Sequence, residues 1–252
     1  MKHLLEVRNL SKSYGEKQVV QKIQFHINKG EVIGLIGPNG AGKSTVIKMI
    51  IDIEDMDEGK ILYLDENTSK DRRSFKRSIG IVPQDIAVYD DLSAFDNVSF
   101  FCSLYGYSGK NLKERVKEAL DFVGLWDRRK ELPTKFSGGM KRRLNIACSI
   151  AHTPNLLVMD EPTVGIDPQS RNHIMESIKS LNAQGTSVIY VSHYMEEIEA
   201  ICSRIVLMDN GKIIEDMDKE ELKNKYREQG CTTLEEIFLQ LTGTELRDEE
   251  VG

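Results

Sequence analysis

Residues 32–45 read Val32-Ile33-Gly34-Leu35-Ile36-Gly37-Pro38-Asn39-Gly40-Ala41-Gly42-Lys43-Ser44-Thr45. The first five positions form a near-continuous apolar run, the pattern of a strand buried on both faces. Gly37-x-x-x-x-Gly42-Lys43-Ser44 follows at once, and beyond it Val46, Ile47, Ile50 and Ile51 recur at helical spacing. Strand, glycine-rich loop and helix, in that order, are the setting in which such a loop holds phosphate. Glycines let successive backbone N–H groups turn toward an anion. The helix behind them adds unpaired N–H groups and the positive end of its dipole. Lys43 supplies a point charge for outer phosphates, and Ser44 a hydroxyl for Mg²⁺. A chance glycine turn is the bland alternative, and the flanking strand and helix argue against it.

Working outward, a second half of the site lies at Leu156-Leu157-Val158-Met159-Asp160, a buried strand ending in a carboxylate. Asp160 suits Mg²⁺, and Glu161, one residue on, suits the polarisation of an attacking water. Other strands are expected at Val19-Val20, Ile23–Ile27, Ile79–Val82 (ending at Pro83-Gln84), Val188–Val191 and Ile205–Met208. Between them come helices. Lys113–Val123 is amphipathic, and Ser137–Ala151 places Met140, Leu144, Cys148 and Ala151 on one face. A third helix is capped by Asp167, opens on Pro168 and stops at Gly185. Asn210-Gly211 predicts a hairpin turn, and Thr233–Glu236 a capping box that opens a last helix. Strands separated by helices imply an α/β fold with a mainly parallel sheet. The early strands predict an antiparallel β flank, and the helix-rich stretch after Asp85 an inserted helical subdomain.

The chain has 252 residues, 40% of them hydrophobic, enough for a sizeable core. No apolar run reaches membrane-spanning length, and the first residues lack a signal-peptide pattern, so a cytoplasmic location is expected. The formal net charge of −6 argues against broad binding to nucleic acid. Cys102, Cys148, Cys202 and Cys231 form no CxxC pair and read as reduced core thiols. Of the five histidines, His3, His26, His152 and His173 carry no pattern and read as structural or exposed. Arg142 and Arg143 read as a solvated or lobe-facing surface.

With these residues in place the chain resembles the nucleotide-binding subunit of an ATP-binding-cassette (ABC) transporter, over essentially its whole length. Tyr14 in Ser13-Tyr14-Gly15 stands where that family sets an aromatic ring against adenine. The phosphate loop Gly37–Thr45 is followed by Gln84, a sensor of γ-phosphate and Mg²⁺ in the family. Phe136-Ser137-Gly138-Gly139-Met140 is similar to the family signature Leu-Ser-Gly-Gly-Gln, with Phe136 and Met140 as departures. Asp160 and Glu161 match the Mg²⁺ carboxylate and catalytic glutamate, Val164–Asp167 the loop that crosses the dimer, and His193 the switch histidine. The resemblance implies a P-loop NTPase core over 1–84 and 154–225, a helical signature subdomain over 85–153 and a helical tail over 226–252. It implies ATP and Mg²⁺ as ligands, with Ser44, Gln84 and Asp160 around the ion. It also implies a head-to-tail pair of copies, or a pair with a homologous ATPase subunit. In that pair Ser137, Gly138 and Gly139 of one chain face the phosphate loop of the other.

The short gap between Lys43 and Ser137 leaves no room for the long coiled coil of DNA-repair cassettes, and the chain has one cassette where translation factors carry two. A transporter subunit, peripheral on the inner face of the cell membrane through a separate permease and without a nucleic-acid partner, is therefore expected. Gly138–Leu144, Gly165–Pro168 and Leu234–Gly243 resemble bacterial exporters of the ABC-2 type, which include daunorubicin-, linearmycin- and sodium-efflux-like ATPases. An ATP-switched regulatory module, or a nucleic-acid-associated ATPase that does not transport, is the alternative.

Overall fold

Positions 32–36 are all buried, as a strand covered on both faces requires, and everything else is arranged around such apolar runs. The computed structural model of the chain describes residues 3–243. The tail expected over 226–252 is thus seen as far as Gly243; 244–252, like Met1 and Lys2, lie outside the described residues. In chain order the elements are β1 (Leu5–Tyr14), β2 (Lys17–Ile27), β3 (Val32–Ile36), α1 (Lys43–Ile50), β4 (Glu58–Tyr63), β5 (Glu66–Asn67), α2 (Arg72–Ser78), β6 (Ile79–Val82), α3 (Ala94–Leu104), α4 (Gly109–Phe122), α5 (Gly138–Ile150), β7 (Leu156–Asp160), α6 (Pro168–Ala183), β8 (Ser187–Val191), α7 (Met195–Ile201), β9 (Arg204–Asp209), β10 (Lys212–Asp218), α8 (Lys219–Arg227) and α9 (Leu234–Thr242). Two compact units form, Met1–Lys76 with Ser187–Gly252, and Arg77–Thr186.

The first unit carries the antiparallel flank and part of the parallel sheet. β2, β1, β4 and β5 lie side by side, all antiparallel. β3 runs parallel to β8 on one side and β9 on the other, and β10 returns antiparallel to β9. The β9–β10 turn is Asn210-Gly211, both at positive φ, as a two-residue hairpin of this twist demands. The last helix opens on the expected Thr233–Glu236 capping box and buries Leu234 and Ile237. α8, which no apolar stripe announces, is tied to β10 because Lys225 and the Tyr226 hydroxyl both donate to the buried carboxylate of Glu215.

In the second unit β6 and β7 pair in parallel, Ile79 to Leu156 through Val82 to Met159. α5 then supplies hydrogen bonds to β6. His152, just past its end, bonds Ile79 O through Nε2 at 2.9 Å, and the Ser149 hydroxyl donates to Ile81 O. Arg142 continues the row onto Pro83 O and Gln84 O at 2.8 and 2.6 Å. Ile79, Ile81 and Pro83 are alternate positions, whose carbonyls face the same side of an extended chain. Buried polar residues Arg142, Asn145, Ser149 and His152 form one stripe of α5 and its C-terminal end. Of the solvated or lobe-facing surface expected for Arg142, the solvated reading is corrected: the residue is 4% exposed, and the two carbonyls it bonds are what hold it inward.

His152 stacks on Tyr105, with ring centroids 3.5 Å apart and planes within 8°. A carbonyl only accepts, so Nε2 carries the hydrogen and Nδ1 is left buried with no hydrogen-bond partner. Burial, partly opposed by the Ile79 carbonyl, lowers its pKa to about 4. The unfolded ring gains its proton near pH 6.5, and the folded one resists down to about 4, so stability falls with pH across that window. The shift corresponds to at most about 3 kcal/mol. Unfolding by urea between pH 7 and 4.5 should therefore show a slope that His152→Phe flattens; parallel losses in the two proteins would assign the slope to other groups.

Candidate functional site

In the first unit the phosphate loop lies between β3 and α1, as the order of residues predicts. Gly37 is packed so closely that a Cβ there would sit 2.4 Å from Met208 O. Gly42 takes φ +98° at the start of α1 and provides no side-chain cap. The first N–H groups of α1, those of Lys43, Ser44 and Thr45, thus have no side-chain cap and form the donor set an anion needs. Lys43 is buried, and its ammonium donates to the carbonyls of Gly37 and Pro38 at 2.7 and 3.0 Å. That bond pins the charge at the base of the loop. Pro38 is half-buried, while Asn39 and Gly40 are exposed at the tip of the loop; Ala41 is buried and bonds back through Ala41 N to Pro38 O. Ser44, in the first turn of α1, is exposed.

Tyr14 ends β1 with its ring 46% exposed and the Lys12 ammonium 5.4 Å from its centre, an open aromatic face. His193 is exposed in the connection from β8 to α7. Its neighbours are fixed from below. The buried carboxylate of Glu197 accepts from the hydroxyls of Tyr190 and Ser192, both at 2.8 Å, and the Ser192 oxygen accepts from Tyr194 N at 3.0 Å. The backbone on either side of His193 is therefore anchored to one carboxylate.

In the second unit, Asp160 ends β7 and Glu161 follows at φ +47°. This left-handed conformation costs a non-glycine residue about 1–2 kcal/mol. Gln84 lies beside it, with the side-chain amide donating to the Glu161 carboxylate at 3.5 Å. Ser137 caps α5 and accepts from Met140 N at 3.2 Å, while Gly138 beside it is open to solvent. Asp167 caps α6 and accepts from Ser170 N at 2.9 Å; that backbone bond, first among its contacts, holds its pKa below the ordinary carboxylate range. Gly139 brings these two helix starts together. A Cβ there would lie 2.2 Å from Ser170 Oγ, 2.6 Å from Ser170 Cβ and 3.2 Å from the Asp167 carboxylate.

Two sets of residues that matter to the site escape a motif reading. Arg142 binds the carbonyl of Gln84 itself, and the signal for it is the polar spacing 142, 145, 149, 152, which puts four polar residues on one face. Glu197 supports the His193 connection, and no local pattern separates it from Glu196 and Glu199, which sit in the same helix.

Comparison with known proteins then places the chain. The family described as ABC transporter matches residues 20–164, more than half of the chain. The chain is 50% identical over 211 residues to the linearmycin resistance ATP-binding protein LnrL of Bacillus subtilis, covering 84% of this chain and 68% of that one. It is 40% identical over 212 residues to the Nod factor export ATP-binding protein I of Sinorhizobium fredii, covering 84% and 62%. Among solved structures, an ATP-binding subunit of an ABC transporter superposes with a TM-score of 0.85 at 28% identity, over 95% of this chain and 99% of that one. A dimeric ATP-binding cassette in a post-hydrolysis state, bound to ADP and Pi, gives a TM-score of 0.76 at 26% identity, over 85% and 98%.

The two signature glycines should respond differently to a methyl group. Gly139→Ala meets the Ser170 Cβ, which no rotation removes, and should lower stability by about 1–3 kcal/mol. Gly138→Ala meets nothing within 4 Å and should be neutral or stabilising. Thermal unfolding of both variants reads this, and equal losses would refute the packing role given to Gly139.

Proposed function

We propose, from the premise that this chain belongs to the ABC transporter family as its ATP-binding, ATP-hydrolysing subunit, that it drives export through a separate membrane-spanning permease. The observation that carries the reading is the uncapped start of α1 behind the phosphate loop, together with the exposed Ser137-Gly138 start of α5, where Ser137 closes one N–H and its neighbour glycine leaves the approach clear. Each is a place for phosphate oxygens. A chain with two such places is suited to a head-to-tail pair of copies, in which the α5 start of one serves the nucleotide held by the phosphate loop of the other. The likeness to a linearmycin resistance protein and to Nod factor export proteins supports export, with a drug or antibiotic as the cargo class and ion efflux as the other. Among the described residues no helix is long and apolar enough to cross a membrane, which fits a role for a permease on whose inner face the chain would sit.

The residues take the following roles. Loop N–H groups from Gly37 to Thr45 receive the β- and γ-phosphates, Lys43 neutralises them, and Tyr14 stacks on the adenine. Ser44, Gln84 and Asp160 offer hard oxygens of the kind Mg²⁺ prefers, and Gln84 fits because its amide N–H₂ is turned to Glu161, leaving its oxygen as an acceptor. Bound there, Mg²⁺ would neutralise charge on the phosphate oxygens. Glu161 accepts a proton from the water whose oxygen bonds to the γ-phosphorus as the bond to the bridging oxygen breaks and ADP leaves. His193 contacts the γ-phosphate, and Ser137, Gly138 and Gly139 reach the one held by the other copy, with Asp167 beside them. Loss of that phosphate removes the bridge between copies and opens the pair.

Full-length protein should hydrolyse ATP in the presence of Mg²⁺. Glu161→Gln should retain ATP and elute at twice the monomer mass in its presence; a variant that stays monomeric in ATP would end the two-copy mechanism. Lys43→Ala should weaken ATP binding by at least about tenfold, the scale of one lost charge-assisted hydrogen bond, and unaltered affinity in a titration would count against the assigned loop.

A further inference from the structure

Arg142 is the feature of the second unit that the roles above do not use. Its guanidinium is buried, and its two hydrogen bonds go to consecutive main-chain carbonyls, Pro83 O and Gln84 O. Consecutive carbonyls of an extended strand point to opposite sides. One side chain reaches both because the chain turns out of β6 after Val82, so the fork of the guanidinium defines the bend at which Gln84 departs. Lysine, with a single point of charge, lacks the planar fork that such a pair of acceptors requires. Burial lowers the pKa of Arg142, opposed by the charge of Asp85, so the group stands against the carbonyls at an energetic cost that an apolar side chain of the same length would avoid.

The contact is part of a register. From Arg142 to His152 the helical path advances about 15 Å. The strand it faces, Ile79–Val82, advances about 10 Å before the chain turns toward Gln84. Arg142, Ser149 and His152 meet Gln84, Ile81 and Ile79 in antiparallel order. α5 and the β6 strand with its exit are thus joined by three side chains, Arg142, Ser149 and His152. At the start of the same helix, roughly 7 Å along its axis from Arg142, stands Ser137.

We propose that Arg142 is a positioning residue that transmits displacement of the signature Ser137-Gly138-Gly139 to the backbone of Gln84. Through it the contact made with one nucleotide adjusts the residue that serves the other. This rests on the roles given above to Gln84 and to the signature. It assigns cooperativity between the two nucleotides of a pair to a single side chain.

A double-mutant cycle with full-length protein tests it, reading Mg-ATP turnover, its Hill coefficient and thermal unfolding. Arg142→Gln should lower kcat about tenfold, the scale of lost charge-assisted bonds, with KM little changed and the Hill coefficient moved toward one. Arg142→Lys should fall similarly, which also covers the case in which Arg142→Gln does not fold. In a Gln84→Ala background the Arg142 substitution should have little further effect on kcat. Ser149→Ala, which cuts the same row away from Gln84, should lower the melting temperature and leave kcat and the Hill coefficient unchanged. Arg142 variants that lose stability without losing kcat, or whose effect on kcat multiplies fully with that of Gln84→Ala, would overturn the proposal. If Gln84→Ala alone leaves kcat intact, the role assigned to Gln84 fails first and the proposal falls with it.

Discussion

A helix begins with backbone N–H groups that have no partner in the helix, and each start must either be closed by a side chain or left for something else to close. This chain does both. At α6 the carboxylate of Asp167 closes the start, and the bond from Ser170 N lowers its pKa. At α1 the capping position is Gly42, which has no side chain to cap the start, so the turn can present its N–H groups to an anion. At α5 the closure is partial: the Ser137 oxygen takes one N–H and its hydroxyl hydrogen stays available, while Gly138 keeps the approach open. The three starts form a graded series set by the capping residue alone, and the places left open are those where phosphate chemistry is expected.

Open helix starts cost stability, and the structure offsets that cost nearby. The α1 loop is held by Lys43 bonding its carbonyls and by the close approach of Gly37 to Met208. The α5 start is held by its contact with α6 at Gly139 and, further along, by the polar stripe against β6. The connection bearing His193 is exposed, yet Glu197 anchors the residues on both sides of it. In each case the exposed group is set by a buried one that does not itself face solvent.

That division explains what could be read from the sequence. Val32–Ile36 and Leu156–Asp160 are legible as strands because burial on both faces leaves no polar positions to confuse the period. Asp167, Pro168 and Gly185 are legible because capping depends on one residue and its immediate neighbours. β4 escapes because only Ile61 and Leu62 of its six residues are buried, and two adjacent apolar positions show no period. α8 escapes because it is fastened by hydrogen bonds to Glu215, a residue outside the helix. The burial of Arg142 is illegible for the same reason: its partners are main-chain carbonyls 58 and 59 residues away, and a carbonyl has no signature in sequence.

The residues that bind are therefore local in sequence, and the residues that place them are not. A phosphate loop is one turn of chain, so its chemistry is written in one stretch of letters. The orientation of Gln84 depends on a helix that begins more than 50 residues later, and the fastening is a fork of two donors rather than a patch of apolar area. Burial of apolar area is non-directional and by itself indifferent to which carbonyl faces which donor. Directed hydrogen bonds onto successive carbonyls are not, because a displacement of one residue removes every acceptor from its donor. A helix whose open end must report on a neighbouring chain is better fastened by bonds that resist sliding, and the polar stripe from Arg142 to His152 supplies them.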